Sequence, residues 1–313
     1  MTEKDDSAGG QNDEDLNRMV QDIAGKAPSL LWHYTTPEGL LGILRAGEIF
    51  ATGLPYLNDS TEGSYMNDLA LATLSERMSK QMAKAVRISL AGFADHRPLA
   101  VTCFCKHGDL LGQWRAYTGG RGFAIGFDTL ALSTFWTVTQ REGLLANVQY
   151  KDKRSKKTAA RYAKIIHSAW DDLVADKLES SGHPPSEAEV ESVAEGIHEF
   201  SRRVGYLAMS GAFHKPSHFL QEQEWRFVTS LTGRARKDDE TNSSQFEERA
   251  TPFGVAVYRR IAFQESPATS PIRAIRIGPG LDVESQSATL TRVLAKYGYS
   301  NVDIDGSTVP LRF

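Results

Sequence analysis

Two glutamates in the segment Glu222–Phe227 offer the most unusual chemistry in this sequence. Residues two apart in a strand lie on the same face, so Glu222 and Glu224 would lie side by side while Trp225 and Phe227 face the other way. Neighbouring carboxylates repel each other unless a ligand or a cation uses them. The segment is therefore a candidate catalytic or binding site.

A second candidate is His33, which lies at the end of a predicted short strand, just before a predicted helix. A histidine in this position can bind a ligand at the edge of the core, because its ring both donates and accepts hydrogen bonds near neutral pH. It can equally be an ordinary hydrogen-bonded residue of the core edge. The sequence leaves both interpretations open.

A third candidate is the segment Gln113–Tyr117, where Trp114 and Tyr117 are three residues apart and would share a helical face. Two such aromatics can pack in the core or form a platform for a ligand. The glycine-rich turn Gly119–Gly122 follows directly and precedes a predicted strand. It is neither a P-loop, which needs a following Lys-Ser/Thr, nor the dinucleotide fingerprint, which opens a helix after a strand.

Metal binding and disulfide formation are not expected. His214 and His218 have a zinc-like spacing, but Pro216 between them would disrupt a helix that presents both. Cys103 and Cys105 alternate along one predicted strand, so both side chains would lie on the same face. A structural disulfide between them is not expected, and a reducing cytoplasm fits this cysteine usage.

The composition indicates a globular protein. The 313 residues are 41% hydrophobic with a net charge of -3, which is enough apolar material for a buried core. No run of about 18 uncharged apolar residues occurs, and the acidic N-terminus lacks a signal sequence, so a cytoplasmic location and no membrane partner are expected. The basic cluster Lys151–Lys157 is typical of a solvated helix face, and it also offers a surface for nucleic acid.

Hydrophobic spacing predicts the elements that must position these residues. Residues 1–27 lack periodicity and form an acidic disordered tail, and 28–313 form a single domain. Helices are expected after Thr36 up to Gly47, through Leu71–Ala85 as one helix, and over 287–296. A helical insertion is expected at about 154–213, broken at Ser181–Pro185, and a surface loop at Gly233–Thr251. Strands are expected at 48–52, 99–104, 123–128, 224–231, 255–263, 272–277 and 302–304. Without regular β-α-β alternation, these elements predict an α+β fold.

Five short segments in a fixed order resemble a bacterial family of formerly unknown function that is related to ADP-ribosyltransferases. The resemblance covers roughly Leu31–Phe313, with the helical region as its variable part, and the ordered series is more specific than any one segment. The segments are Leu31–Thr35, Asn58–Glu62, Val101–Phe104, Trp114–Tyr117 leading to Gly122–Phe127, and Glu222–Arg226.

The resemblance implies an ADP-ribosyltransferase-like, split mixed β core that holds NAD in a cleft without a glycine fingerprint. It implies that His33 binds the ribose side of NAD and that Glu224, at the start of a late strand, grips the nicotinamide ribose. Glu222 matches the first glutamate of the Glu-x-Glu pair in some branches.

An aromatic residue should cover the nicotinamide, and this sequence has two candidates, Tyr117 and Tyr56. We favour Tyr117, because it lies beside Trp114 and ahead of the glycine turn. Tyr34 occupies the position where some relatives have glycine. The contacts that this chain makes with nicotinamide should therefore differ from those in these relatives. The further residues expected to contact NAD are Tyr34, Thr35, Tyr56, Asn58, Trp114 and Glu222.

The resemblance implies an NAD-consuming ADP-ribosyltransferase that modifies a protein or nucleic acid, as a toxin or an antiphage effector, with an inhibitor or antitoxin protein as a further partner. An NAD glycohydrolase would use the same cleft, with water in place of the acceptor. An alternative from another class is a non-catalytic module that binds nucleic acid or protein through the Lys151–Lys157 cluster and exposed aromatics.

Overall fold

A computed structural model describes residues 26–57, 63–75, 78–96, 98–139, 143–179, 187–231, 246–251 and 254–310. The chain divides into two compact units. For the described residues, the sheet unit lies within 25–56, 100–148 and 218–313, and the helical unit lies within 57–99 and 149–217. The predicted tail, 1–27, lies outside the described residues except for Lys26 and Ala27.

The strands of the described residues form one mixed sheet of ten. The order of eight of these strands is β10-β9-β4-β1-β3-β2-β8-β7. Strand β6 pairs with β3 as a branch of this order, and β5 pairs with β6. The pair β9/β10 is parallel, whereas β1 pairs antiparallel with β3 and β4. The α+β prediction is therefore confirmed. The strands are β1 Leu30–Thr35, β2 Glu48–Gly53, β3 Leu99–Cys105, β4 Phe123–Asp128, β5 Leu144–Asn147, β6 Glu224–Ser230, β7 Glu247–Thr251, β8 Gly254–Ala262, β9 Ile272–Ile277 and β10 Asp303–Gly306.

The first helix shows how local sequence sets the boundaries of an element. The Thr36 side chain accepts a hydrogen bond from the Gly39 backbone N–H, and Gly47 ends the helix with φ 67°, a conformation that suits glycine. Both boundaries agree with the sequence. The helices are α1 Pro37–Ala46, α2 Ser64–Ser75, α3 Lys80–His96, α4 Leu111–Thr118, α5 Thr129–Thr134, α6 Asp152–Glu179, α7 Glu187–Gly211 and α8 Val283–Tyr297.

The main core of the sheet unit lies on one face of the sheet and includes Phe104 and Phe227. Trp136, in the π-helical turn Phe135–Thr139, stacks on Phe227 with ring centroids 4.0 Å apart. A smaller cluster around Trp32 and Trp114 is separate from this core. Successive strand residues therefore serve two different environments, as the pleat requires.

The helical unit has its own core between α2, α3, α6 and α7, which includes Met66, Ile166 and Val204. Its residue His214 is 2% exposed, and the ring nitrogen Nδ1 lies 2.9 Å from the Ser210 carbonyl oxygen. Burial lowers the pKa of His214 to about 4. The hydrogen bond to Ser210 raises the pKa in part, and the positive charge of Arg154 lowers it slightly further. The imidazole is thus neutral at pH 7.

The helical insertion predicted at about 154–213 corresponds to α6 and α7. Its predicted break, Ser181–Pro185, lies outside the described residues. The same compact unit also includes α2 and α3 from earlier in the chain. Within the described residues, no helix is both long and apolar enough to cross a membrane.

Two predicted elements were wrong. The single helix through Leu71–Ala85 is two helices, because the Ser79 hydroxyl accepts a hydrogen bond from the Met82 N–H at 3.1 Å and begins α3 anew. The predicted loop Gly233–Thr251 ends in strand β7, which pairs antiparallel with β8. Residues 233–245 of that loop lie outside the described residues. Strand β5 was not predicted.

Candidate functional site

An open cleft in the sheet unit collects most of the residues that the sequence singles out. Its empty volume is about 360 Å³, which includes the space at its open mouth. The cleft is lined by Trp32, His33, Tyr34, Cys103, Phe104, Cys105, Gln113, Tyr117, Glu222 and Glu224.

The position of His33 follows from the way in which β1 and β3 meet. Strand β1 pairs with β4 along its whole length but shares a single register pair with β3, Trp32 with Cys105. Just beyond that pair, the His33 ring reaches β3, with Nδ1 2.9 Å from the Cys103 carbonyl oxygen. The histidine side chain thus bridges the two strands where their backbone pairing has ended.

This hydrogen bond determines the tautomer of His33. A carbonyl oxygen only accepts, so Nδ1 carries the proton and Nε2 of the neutral ring is an acceptor. Burial lowers the pKa of His33; the bond to Cys103 opposes this effect, and the positive charge of Arg249 adds to it. The ring is therefore neutral at pH 7 and suited to accept a hydrogen bond from a ligand hydroxyl.

Glu224 begins β6 and forms an ion pair with Arg226, two residues later on the same strand. Arg226 Nε and Nη2 donate to the two Glu224 carboxylate oxygens, each at 2.9 Å. Glu224 is 7% exposed and Arg226 is fully buried. The two parallel hydrogen bonds fix the orientation of the carboxylate.

Glu222 lines the same cleft, but the geometry that brings it there differs from the prediction. Glu222 ends the 3-10 turn Ser217–Glu222, and Gln223 has φ 46°, so the two glutamates do not alternate along one strand. Arg226, two residues after Glu224, forms an ion pair with the Glu224 carboxylate. Its positive charge reduces the repulsion between Glu224 and Glu222. Trp225 and Phe227 do face the main core, as alternation predicts.

The two candidate tyrosines lie in different places. Tyr117 is on α4, lines the cleft and is 42% exposed, so its ring is accessible to a ligand. Tyr56 lies in the 3-10 turn Leu54–Tyr56, is 44% exposed and packs against Gly53, where an added Cβ would be 3.0 Å from the ring. Tyr56 does not line the cleft, so the geometry favours Tyr117.

Trp114, expected to contact NAD, is a core residue. It is fully buried, its ring lies edge-on to Tyr34 with centroids 4.8 Å apart, and its Nε1 donates to Asp109 at 2.8 Å. One turn of helix therefore presents Tyr117 to the cleft and Trp114 to the interior. The prediction that Trp114 and Tyr117 share one helical face was therefore wrong. Side chains three residues apart on a helix point in directions different enough for one to lie in the core and the other at the surface.

Of the other residues predicted to contact NAD, Tyr34 lines the cleft and Thr35 does not. Tyr34 is 6% exposed; its hydroxyl donates to the His107 carbonyl and accepts from the Leu110 N–H, and burial raises its pKa. Thr35 packs against the first turn of α1 instead, since a Cβ on Gly39 would collide with its Oγ1. Asn58 lies outside the described residues.

Cys103 and Cys105 both line the cleft as thiols that form no disulfide, on the shared face that strand alternation predicts. Cys105 is 2% exposed and its thiol donates to the Glu222 carbonyl oxygen at 3.2 Å. Burial raises the pKa of Cys105 to about 11, with small raising contributions from Glu224 and Glu222 and opposing backbone hydrogen bonds. Cys105 is thus a protonated packing residue and not a nucleophile at pH 7.

Sequence reasoning missed two residues that support the site. Arg226 could have been found, because residues two apart on a strand share a face and the pair Glu224–Arg226 has opposite charges. Asp109 gave no local signal. Burial alone would raise its pKa, but hydrogen bonds from Ser307, Thr308 and Trp114 lower it, so the carboxylate holds α4 against the C-terminal segment.

Comparison with known proteins finds a family match over part of the chain that forms this site. No curated protein and no solved structure matches the chain. Residues 113–227 match a family described as "Protein of unknown function (DUF2971)", and this stretch contains Tyr117, Glu222, Glu224 and Arg226. Over these residues the chain is similar to a family whose description names no activity.

Proposed function

We propose that this protein binds NAD in the cleft and transfers ADP-ribose to a macromolecular acceptor. The observation that carries the proposal is the meeting of His33, Tyr117, Glu222 and Glu224, from three distant parts of the chain, in one cleft. These are the residues that the family resemblance associates with NAD. The single register pair between β1 and β3 supports a core that opens at this point.

Each of these side chains has a chemical role that fits one part of the ligand. Neutral His33 accepts a hydrogen bond from a ribose hydroxyl through Nε2. The exposed ring of Tyr117 covers the nicotinamide and excludes water from the bond that breaks. Glu224, held by Arg226, accepts from the nicotinamide ribose in a fixed orientation.

The reaction breaks the glycosidic bond between the ribose and nicotinamide. The bonding electron pair leaves with neutral nicotinamide, and positive charge develops on the ribose. Carboxylates near that charge stabilise the transition state more than the ground state. Arg226 offsets part of the field of Glu224, so Glu224 acts chiefly by orienting the ribose, and Glu222 adds to the negative field. The acceptor atom then bonds to the same ribose carbon and loses its proton.

Incubation of the purified protein with NAD labelled in the adenylate part, together with a cell lysate, tests the proposal. Release of nicotinamide with label on a macromolecule is the expected result. Release of nicotinamide with free ADP-ribose alone would instead establish an NAD glycohydrolase. Salt-dependent binding to nucleic acid without nicotinamide release would favour a binding module acting through the exposed lysines at the start of α6.

A further inference from the structure

Arg249, on the edge strand β7, is an arginine whose charge is not matched by any carboxylate of the described residues. Its Nη2 donates to the Thr52 hydroxyl at 3.0 Å, and its guanidinium lies over the rings of Phe50 and Tyr258, 5.5 and 5.6 Å from their centroids. Within the part of the chain that the structure describes, no carboxylate lies in ion-pair distance of it. Stacking on aromatic faces holds such a group in place and leaves its edge available.

The carboxylate of β7 two residues before Arg249, on the same face of the strand, is already occupied. Glu247 accepts from Arg260 Nε and Nη2 at 2.6 and 2.9 Å, and from the Tyr258 hydroxyl at 2.7 Å. Arg260 also lies over the Phe50 ring, with its guanidinium carbon 5.7 Å from the centroid. Two arginines thus share one aromatic patch, and among the residues described there only Arg260 has a counter-charge.

Strand register places Arg249 on the cleft side of the sheet. Thr52 of β2 pairs with Val101 of β3, so both side chains lie on the face that also carries Cys103, two residues further along β3. Cys103 lines the cleft. With about 3.3 Å per residue and 4.8 Å between strands, Thr52 and Cys103 are roughly 8 Å apart along that face.

The electrostatics of His33 agree with this proximity. The positive charge of Arg249 contributes to lowering the pKa of His33, after burial and against the opposing hydrogen bond to Cys103. Burial also lowers the pKa of Arg249 itself, with a weak opposing effect from Tyr258. An anion beside this guanidinium would supply the counter-charge that the described residues do not provide.

We infer that Arg249 binds a phosphate group of the ligand in the cleft, beside the ribose that His33 contacts. This inference rests on the proposed function for the identity of that ligand as a dinucleotide, although the anion site itself does not depend on catalysis. A guanidinium fork recognises phosphate oxygens with two parallel charge-assisted hydrogen bonds. A dinucleotide longer than the cleft would place its diphosphate on this part of the sheet face.

Ligand titrations with NAD, ADP and nicotinamide riboside test the inference on the full chain. Arg249→Gln should weaken the binding of NAD and ADP by about ten- to a hundredfold, the range expected for charge-assisted hydrogen bonds. Nicotinamide riboside lacks phosphate, so its affinity should not change. Arg249→Lys keeps the charge but not the fork and should fall between the two proteins.

Arg260→Gln is the matched control, because it removes an arginine from the same patch that is already paired with Glu247. Its ADP affinity should stay within about twofold of wild type, since loss of an exposed charge is worth little. Three results would overturn the site: no ADP binding by the wild type, equal weakening of ADP by both variants, or weakening of nicotinamide riboside as large as that of NAD in Arg249→Gln.

The same titrations separate this inference from the proposed reaction. If the wild type releases no nicotinamide but ADP binding still depends on Arg249, the proposed function fails and the anion site stands. If nicotinamide is released and Arg249→Gln leaves the KM for NAD unchanged, the proposed function stands and the anion site is wrong.

Discussion

Replacement of Glu224 by glutamine would separate the structural role of this residue from its chemical role. Arg226 has no exposed surface, and both of its hydrogen bonds to Glu224 are 2.9 Å long. Glutamine keeps one acceptor oxygen but sets an amide NH2, which only donates, against a guanidinium that also only donates. The variant therefore loses one hydrogen bond and leaves a buried cation without this counter-charge.

The cost can be worked from that geometry. Removing one partner of a buried ion pair typically destabilises by about 3–5 kcal/mol. Because glutamine retains one of the two hydrogen bonds, we expect the free energy of unfolding to fall by roughly 2–4 kcal/mol. The free energy of unfolding of a domain is about 5–15 kcal/mol in total. The Glu224→Gln variant should therefore fold, although it would be less stable than the wild type.

Denaturant titration gives the free energy of unfolding, and nicotinamide release is then measured where circular dichroism shows the variant to be folded. The double variant Glu224→Gln with Arg226→Met removes the buried cation as well, and should recover at least half of the lost stability. If Glu224 acts on the ribose, the double variant is stable and inactive. A stable double variant with activity within a few-fold of wild type would remove Glu224 from the mechanism. A stability loss below about 0.5 kcal/mol in the single variant would refute the energetic argument.

The other predictions concern three different side chains. His33→Ala should weaken NAD binding with little loss of stability, and unfolding without a specific binding defect would show that the ring is structural. Tyr117→Phe should keep turnover because stacking needs only the ring, whereas Tyr117→Ala should reduce turnover by at least about three- to tenfold and far more than Tyr56→Ala, as measured by nicotinamide release. Because the pKa of His214 is lowered to about 4, the unfolded chain takes up the proton first as the pH falls below about 6.5. The free energy of unfolding should therefore drop by about 2 kcal/mol between pH 7 and pH 5, and His214→Gln should flatten that dependence in pH-resolved denaturation.

Where a local rule was sufficient, the sequence identified the element. Strands β4 and β9 agree with their predicted bounds, Phe123–Asp128 and Ile272–Ile277, because apolar runs between turn residues have few alternatives. Strand β7 was missed because its alternating residues are charged. Glu247 finds its partners, Arg260 and Tyr258, across the ladder with β8, and sequence spacing does not show that pairing.

For the candidate site as well, some features follow from the sequence and others only from the tertiary structure. The sequence by itself determined which residue types could do chemistry, His33, Glu222, Glu224 and Tyr117, because motifs and their order are properties of the chain. Tertiary structure alone decided that they share one cleft, that Trp114 is buried through Asp109 and Tyr34, and that Glu224 is held by Arg226. Burial and hydrogen-bond partners depend on segments far apart in sequence, and these partners set the charge, orientation and accessibility of each side chain.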